Sequence, residues 1–190
     1  MARKEFGPQP WLFPNPTVLV GTVIDGKPNF ATFAGCGIAG DKPPTISIAV
    51  HRQRYTLKGI RQNKEFSVVI PSVNLIKEAD YCGLVSGVRS DKVRDCGFTV
   101  FYGTLKSAPL IEQCPVNLEC TLLKRFDVGV HDLVIGKIVQ TYVSEECLTD
   151  GKPDIMKIKP IVFSMGSVPR YNAVGEYLGQ GYHIGKELKK

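Results

Sequence analysis

One segment decides how this chain folds: it reads NFATFAGCGIAGDKPP from Asn29 to Pro44 and continues TISIAVHRQRYT from Thr45 to Thr56. Small residues dominate the centre of the segment, so a ligand can approach its backbone closely. A short apolar strand follows and meets a helix at a basic junction that also carries hydroxyl groups. Helix-start N–H groups, guanidinium groups and a hydroxyl together suit an anionic group. The order of these features predicts a site for an anionic ligand.

The junction also has a simpler interpretation. Tyr55 or Thr56 can cap the helix while Arg52 and Arg54 face water, because caps are common at helix starts. The small residues from Ala34 to Gly40 can equally form an irregular strand edge beside a turn. They match neither the dinucleotide fingerprint nor the P-loop. These alternatives stay open from the residues alone.

Length and composition indicate one globular domain over residues 1–190. The chain has 190 residues, of which 43% are hydrophobic and 22% charged, which is ordinary for a globular protein. Its formal charge of +6 is compatible with a nucleic acid, a membrane surface, an anionic small molecule or simply a basic surface. The basic residues are scattered, and no aromatic and basic stripe interleaves them, so neither a nucleic acid nor a membrane is favoured as partner.

The cysteines and the N-terminus favour a reduced, cytoplasmic protein. No two of the cysteines form a C-x-x-C pair, and none has a histidine at zinc-finger spacing, so no metal site is expected. The first residues lack the apolar core of a signal peptide, and no apolar run reaches the length of a membrane span. Most cysteines are therefore expected to be small core residues.

The pattern of apolar residues predicts a mostly β fold with a few short helices. Asp25-Gly26 separates two strand-like runs and indicates a hairpin. A second hairpin is expected where Asp127-Val128-Gly129 separates two long strands. The predicted strands cover Thr17–Ile24, a run from Asn29, Thr45–Val50, Glu65–Ile70, Val116–Phe126, His131–Val143 and Ile161–Met165, with weaker pieces over Phe98–Leu105. Such a set of short strands indicates a barrel or a sandwich.

Two helices are expected, followed by a short helical turn. Tyr55–Gln62 and Asn74–Cys82 place apolar residues at helical intervals, with Asn74 as the N-cap of the second helix. The turn ends near Cys96-Gly97. Beyond Gly166 the chain is rich in glycine and tyrosine, which predicts a tail that wraps the surface.

Read together, these segments resemble the flavin reductase-like family, whose fold is the FMN-binding split barrel, and its flavoredoxin members most of all. The resemblance rests on Asn29-x-x-Thr32, Asp41-Lys42-Pro43-Pro44, His51-Arg52 with Tyr55-Thr56, Ser90-Asp91-Lys92-Val93, and the stretch Gly129–Ile138. It runs from about Pro14 to Met165, which leaves residues 166–190 as a tail.

The resemblance implies a homodimer that binds FMN non-covalently and passes electrons through it, from NAD(P)H or a ferredoxin-like protein. The backbone from Thr32 to Gly37 would border the ring, and Thr56 with the His51-Arg52 corner would hold the phosphate. Lys92 would approach the phosphate or the pyrimidine edge of the ring. His131 matches the family histidine on the nicotinamide side, and Phe163 would form an aromatic wall. The residues expected at the cofactor are Asn29, Ala31, Thr32, Phe33, Ala34, Gly35, Cys36, Gly37, His51, Arg52, Thr56, Ser90, Lys92, His131 and Phe163, with His131 as the catalytic residue.

Three positions depart from the family pattern. Val130 stands where many members that use nicotinamide directly have aspartate, so efficient NAD(P)H oxidation is not implied. Gly35 replaces a bulkier residue of related proteins, which would leave one flavin face more open. Cys36 is expected to be a buried, inert thiol. The alternatives are a non-enzymatic split barrel that binds flavin or haem and, less favoured, an oligonucleotide-binding barrel.

Overall fold

The computed structural model describes residues 1–189, and strands dominate it. The strands are β1 (Asn15–Pro16), β2 (Val18–Ile24), β3 (Lys27–Phe33), β4 (Cys36–Asp41), β5 (Pro44–His51), β6 (Glu65–Ile70), β7 (Val100–Phe101), β8 (Leu110–Ile111), β9 (Val116–Val128), β10 (His131–Val143), β11 (Leu148–Thr149), β12 (Lys152–Pro153), β13 (Ile161–Ser164) and β14 (Arg170–Ala173). The α-helices are α1 (Tyr55–Asn63), α2 (Ile76–Leu84), α3 (Lys92–Asp95) and α4 (Ile155–Ile158). The mostly β prediction is confirmed.

Seven strands form one antiparallel sheet in the order β3-β2-β6-β9-β10-β5-β4. Its two edge strands, β3 and β4, follow each other in the chain, so the sheet must curl to bring its edges together. Within residues 1–189 these edges do not pair with each other; the Ala49 N–H donates to the Gly35 carbonyl at 2.7 Å, which only extends the β4–β5 ladder by one residue. The barrel is therefore split rather than closed, as the sequence predicts.

The first hairpin forms where the sequence places it. Asp25 and Gly26 both have positive φ, 51° and 77°, the backbone that a two-residue turn between twisted strands requires. The second hairpin differs slightly from the prediction. Asp127 and Val128 still belong to β9, and the turn consists of Gly129 and Val130, with glycine at φ 59°.

The interior of the curled sheet forms the main core. β5 shows how the sequence builds it: Ile46, Ile48 and Val50 alternate with outward residues and are buried. A second apolar cluster covers the outer face of β2 and β3 beneath α2; it comprises Leu19, Phe30, Val69, Cys82, Phe98, Ile111 and Cys114. Because both faces of β2 are covered, that strand is apolar almost throughout.

Helix α1 packs against β2 at close range. A Cβ placed on Gly59 would lie 2.4 Å from Thr22 Cγ2, so only glycine permits this approach. The close packing fixes the N-terminal end of α1 beside Asn29 on β3, and this position matters for the site described below.

The second helix begins later than the sequence predicts. Asn74 is not an N-cap but lies in a short 3₁₀ turn, Val73–Leu75, and α2 proper begins at Ile76. The helix end also moves, to Leu84. The tail adds β14, which pairs with β13, and is otherwise mostly exposed up to residue 189. No helix in residues 1–189 is both long enough and apolar enough to span a membrane.

Candidate functional site

A cavity of about 520 Å³ opens between the N-terminal end of α1, the C-terminal end of β5, the N-terminal end of β10, and the connection from α2 to α3. This volume lies in the range of small-molecule sites. The lining residues are Asn29, Ala31, His51, Gln53, Arg54, Tyr55, Thr56, Leu84, Val85, Ser86, Gly87, Arg89, Lys92 and His131.

The charged side chains that line this cavity are all basic. Arg54, Arg89 and Lys92 line it, together with two histidines, and no carboxylate occurs among the described residues of the lining. A concave surface with cations only concentrates anions, because its charges are not neutralised internally. The cavity is therefore suited to an anionic ligand.

Thr56 and Asn29 form the floor of the cavity. Thr56 occupies the first turn of α1 and is only 1% exposed, and its Oγ1 accepts a hydrogen bond from Asn29 Nδ2 at 3.0 Å. Accepting that bond leaves the Thr56 hydroxyl hydrogen free to be donated to a ligand. The first-turn N–H groups of Tyr55 and Thr56 precede the Leu57 N–H, which donates to the Arg54 carbonyl at 3.0 Å, and N–H groups at this place in a helix have no carbonyl four residues earlier in the helix. Together they form a donor-rich surface.

Lys92 is a buried cation on the wall of the cavity. The residue is 4% exposed, and its Nζ donates to the carbonyls of Phe30 and Cys82, each at 2.8 Å. Because an ammonium group has three hydrogens, one donor remains. Burial lowers the pKa of Lys92, and the positive charge of Arg54 lowers it further. An anion in the cavity would offset both effects, so the wall is complementary to a negatively charged group.

Two other contacts shape the cavity. Arg54, at the N-cap position of α1, donates from Nη1 to the Gly83 carbonyl at 2.8 Å, which joins α1 to the end of α2. Gly87 lies directly against Asn29: a Cβ there would sit 1.9 Å from Asn29 Oδ1. A larger residue at this position would have to displace the Asn29 side chain, which is held by its hydrogen bond to Thr56.

His51 and His131 face each other across β5 and β10. They are cross-strand partners, and their rings meet edge to face with centroids 5.2 Å apart. The Gln53 N–H donates to His51 Nδ1 at 3.2 Å, so that nitrogen of His51 serves as an acceptor. The pair places two imidazoles at one end of the cavity.

Arg52 lies outside this cavity, although the sequence groups it with Thr56. Its guanidinium contacts Asp127 and donates from Nε to Asp132 Oδ1 at 3.2 Å. Arg61 and Arg125 also contact Asp132, at 2.8 and 2.6 Å. The three guanidinium groups, the hydrogen bond from Arg61 most of all, hold the pKa of the Asp132 carboxyl below its usual value. The Arg52 side chain therefore pairs with Asp127 and Asp132, and Arg54 is the arginine that lines the cavity.

A smaller cavity of about 260 Å³ lies on the far side of Arg54 and Leu84, which line both cavities. It contains three residues that the sequence assigns to the ring: Thr32, Ala34 and Phe163. Thr32 Oγ1 donates to the Ala79 carbonyl, and Phe163 stacks at a tilt on Tyr171 of β14, with centroids 5.2 Å apart. The two cavities together follow the length of β3.

The remaining expected residues lie elsewhere. Phe33 is buried in the main core, and Gly35 turns the chain between β3 and β4. Cys36 and Gly37 pair with β5, and burial raises the pKa of the Cys36 thiol to about 12, which makes it unreactive near neutral pH. Ser90 lines a neighbouring cavity of about 480 Å³, and the two cavities share the lining residues Asn29, Tyr55, Gly87, Arg89 and Lys92.

Several lining residues, among them Arg89, Ser86 and Gly87, are not among those expected from the sequence. A signal existed for Arg89, because it stands three residues before Lys92 in the same polar connection. None existed for Gly87, whose role comes from its contact with a residue far away in the chain.

Comparisons with known proteins identify the family. The model of the flavin reductase like domain matches residues 11–169. An uncharacterized protein of Archaeoglobus fulgidus is 30% identical over 145 residues, which is 76% of this chain and 81% of that protein. The crystal structure of flavoredoxin from Methanosarcina acetivorans is 36% identical, with a TM-score of 0.92 over 98% of this chain and 100% of that one.

Two further structures agree. The flavoredoxin of Desulfovibrio vulgaris (Miyazaki F) is 34% identical, with a TM-score of 0.91 over 97% of this chain and 100% of that one. Component B of nitrilotriacetate monooxygenase from Bacillus cereus is 23% identical, with a TM-score of 0.81 over 89% of this chain and 88% of that one. At this identity the likeness shows the shared fold alone. The family expected from the sequence motifs is confirmed: this chain is a member of the flavin reductase-like family and is most like flavoredoxin.

Proposed function

We propose that this protein binds FMN and carries electrons through it. The observation that carries the proposal is the larger cavity, which Arg54, Arg89 and Lys92 line together with Thr56 at the start of α1, with no carboxylate among its described lining residues. A phosphate monoester needs such a set of donors and positive charges. The family supports a flavin as the group attached to that phosphate.

The residues fit the two ends of such a cofactor. Thr56, Arg54, Arg89 and Lys92 would hold the phosphate. The β3 residues from Asn29 to Ala34, with His131 on one side and Phe163 in the smaller cavity, would border the flat ring. When bound, FMN supplies the ability to take up and release electrons singly or as a hydride. The chain itself would supply position, charge and exclusion of water.

Arg54 and Arg52 provide a matched test of the phosphate assignment. We expect Arg54→Ala to weaken FMN binding by about 10- to 100-fold, as loss of a charge-assisted hydrogen bond does, and to affect riboflavin much less. Arg52→Ala removes the same charge two residues away, from the Asp127 and Asp132 cluster, and should leave the FMN dissociation constant within about threefold. Fluorescence titration of each variant with both flavins is the measurement. If Arg52→Ala weakens FMN binding more than Arg54→Ala does, Arg52 and not Arg54 holds the phosphate.

Anaerobic reduction distinguishes an electron carrier from a passive binder. The donors expected in the cytoplasm are NADH, NADPH and a ferredoxin-like protein. We expect the flavin absorbance to bleach faster with the redox protein than with either nucleotide, because Val130 occupies the place of an aspartate in members that use nicotinamide. Failure of all three donors to bleach bound FMN would favour storage or sensing. A haem spectrum in the purified protein would favour the haem-binding alternative.

We also propose that the protein is a homodimer, with the outer face of the β9–β10 hairpin as its interface. Phe126, Val128 and Val130 are 48%, 56% and 62% exposed, and Phe126 pairs with Leu133 across the hairpin. Exposed apolar side chains that cluster in this way mark interaction surfaces. His51 and His131 lie at the same end of the hairpin, so a second copy would also border the cavity.

Sedimentation equilibrium tests this interface. The expected mass is twice the 20.9 kDa of one chain, and Phe126→Glu should shift it toward the monomer by placing a charge in an apolar contact. Leu188→Glu, in the exposed tail, is the matched control and should not. A monomeric wild-type protein at about 10 μM would contradict the proposal, since a stable interface of ordinary size associates more tightly than that.

A further inference from the structure

Two thiols outside the cavity lie within reach of each other. Cys82 is on α2 and Cys96 directly follows α3, and their Sγ atoms are 4.0 Å apart. A disulfide needs an S–S distance of about 2.05 Å, so the two sulfur atoms must approach each other by about 2 Å for a bond to form. The other four thiols include only one neighbour of this pair, Cys114, which belongs to the same apolar cluster as Cys82.

The two thiols differ in access. Cys82 is fully buried, whereas Cys96 is partly exposed, so a reagent from solvent reaches Cys96 first. Burial raises the pKa of both thiols, while the nearby Lys92 ammonium acts in the opposite direction. The other charged groups around Cys96 are Glu78 and Asp95. Reaction near neutral pH should therefore be slow and should accelerate as the pH rises.

The pair brackets the segment that lines the larger cavity. Residues 84–92 run between the two cysteines, and the carbonyl of Cys82 itself accepts a hydrogen bond from Lys92 Nζ. A bond between the thiols would close this segment into a covalent loop. Neither the flavin chemistry nor the main core uses these two side chains.

We propose that Cys82 and Cys96 form a redox-active dithiol that closes to an intrachain disulfide by exchange with a small-molecule disulfide. The Cys96 thiolate attacks one sulfur of the small disulfide, and a mixed disulfide forms as one small thiolate leaves and takes up a proton. Cys82 then loses its proton and attacks the Cys96 sulfur, which releases the second small thiol. Overall, two protein thiols are oxidised to one disulfide and one small disulfide is reduced to two thiols.

The test is oxidation of the reduced, full-length protein with oxidised glutathione at about pH 8.5, where more thiolate is available. We expect the intact mass to fall by about 2 Da, as loss of two hydrogens requires, with no glutathione retained. After trypsin, residues 78–89 and 95–106 should appear as one linked peptide that dithiothreitol separates. The melting temperature should rise by about 5 °C, because the bond restricts the unfolded chain.

Two variants complete the test. Cys96→Ser should lose both the linked peptide and the rise in melting temperature, and it should fold because its side chain is partly exposed. Cys147→Ser removes a buried thiol elsewhere in the chain and should keep both. A stable glutathione adduct on Cys96 in the wild type, a link from Cys82 to Cys114, or wild-type protein that keeps all its thiols would each overturn the proposal.

Discussion

Replacing Lys92 by methionine is expected to weaken FMN binding by about 100-fold, the largest effect of any single change at the cavity. Methionine keeps the length of the apolar stem but removes the buried charge and the remaining Nζ donor. The change also leaves the carbonyls of Phe30 and Cys82 without their donor. A loss of stability of about 2 kcal/mol should therefore accompany the loss of affinity. Calorimetric titration of folded protein with FMN and with riboflavin measures the first effect, and urea unfolding measures the second.

Lys152→Met is the matched control, since it removes an exposed lysine from β12. It should leave both quantities unchanged within about 0.5 kcal/mol. A Lys92→Met protein that still binds FMN as tightly as the wild type would show that this ammonium group serves only the two carbonyls. A preferential loss of FMN over riboflavin would place the ammonium group at the phosphate.

Asp132→Asn is expected to destabilise the fold by about 2 kcal/mol. The Asp132 side chain is 6% exposed and accepts contacts from Arg52, Arg61 and Arg125. Asparagine has nearly the same shape but carries no charge, so three guanidinium groups lose their common counter-charge. Asp25→Asn supplies the control, because Asp25 is exposed and pairs with the single exposed cation Lys58; exposed ion pairs contribute little to stability, so this change should destabilise the fold clearly less than Asp132→Asn does.

The effect of Asp132→Asn should depend on pH in a defined direction. Hydrogen bonds from the arginines lower the pKa of Asp132 in the folded state. Stability from such a group is fully present above the unfolded value near 3.8 and is lost as the pH falls through the lower folded value. Urea unfolding at pH 7 and again below about pH 3 should therefore show a difference between wild type and variant that shrinks in acid. An equal difference at both pH values would mean that the charge of Asp132 is not what stabilises the cluster.

The strands were predictable from sequence because their patterns are local. Alternating apolar residues in Thr45–Val50 and the Asp25-Gly26 turn specify their structures within a few residues. The family motifs predicted the family and the split barrel, and six of the residues expected at the cofactor line the larger cavity. Those six are Asn29, Ala31, His51, Thr56, Lys92 and His131.

The features that the sequence did not predict depend on contacts between residues that are far apart in the chain. Arg52 and Arg54 look alike beside Thr56, and only the contacts with Asp127 and with Asp132, 80 residues later, show that Arg52 is engaged elsewhere. The burial of Lys92 likewise depends on two carbonyls that no sequence pattern reveals. Asn74 is a good capping residue, but a 3₁₀ turn precedes α2 and moves its start to Ile76.

Calorimetric titration of the flavin-free, full-length protein with FMN tests the central claim most directly. We expect saturation at one FMN per chain with a dissociation constant of about 1 μM or tighter, which corresponds to about −8 kcal/mol. We also expect inorganic phosphate to compete with FMN, because both ligands would need the same cations. Absence of binding heat and of any change in flavin absorbance at about 100 μM FMN, some hundredfold above that constant, would contradict it.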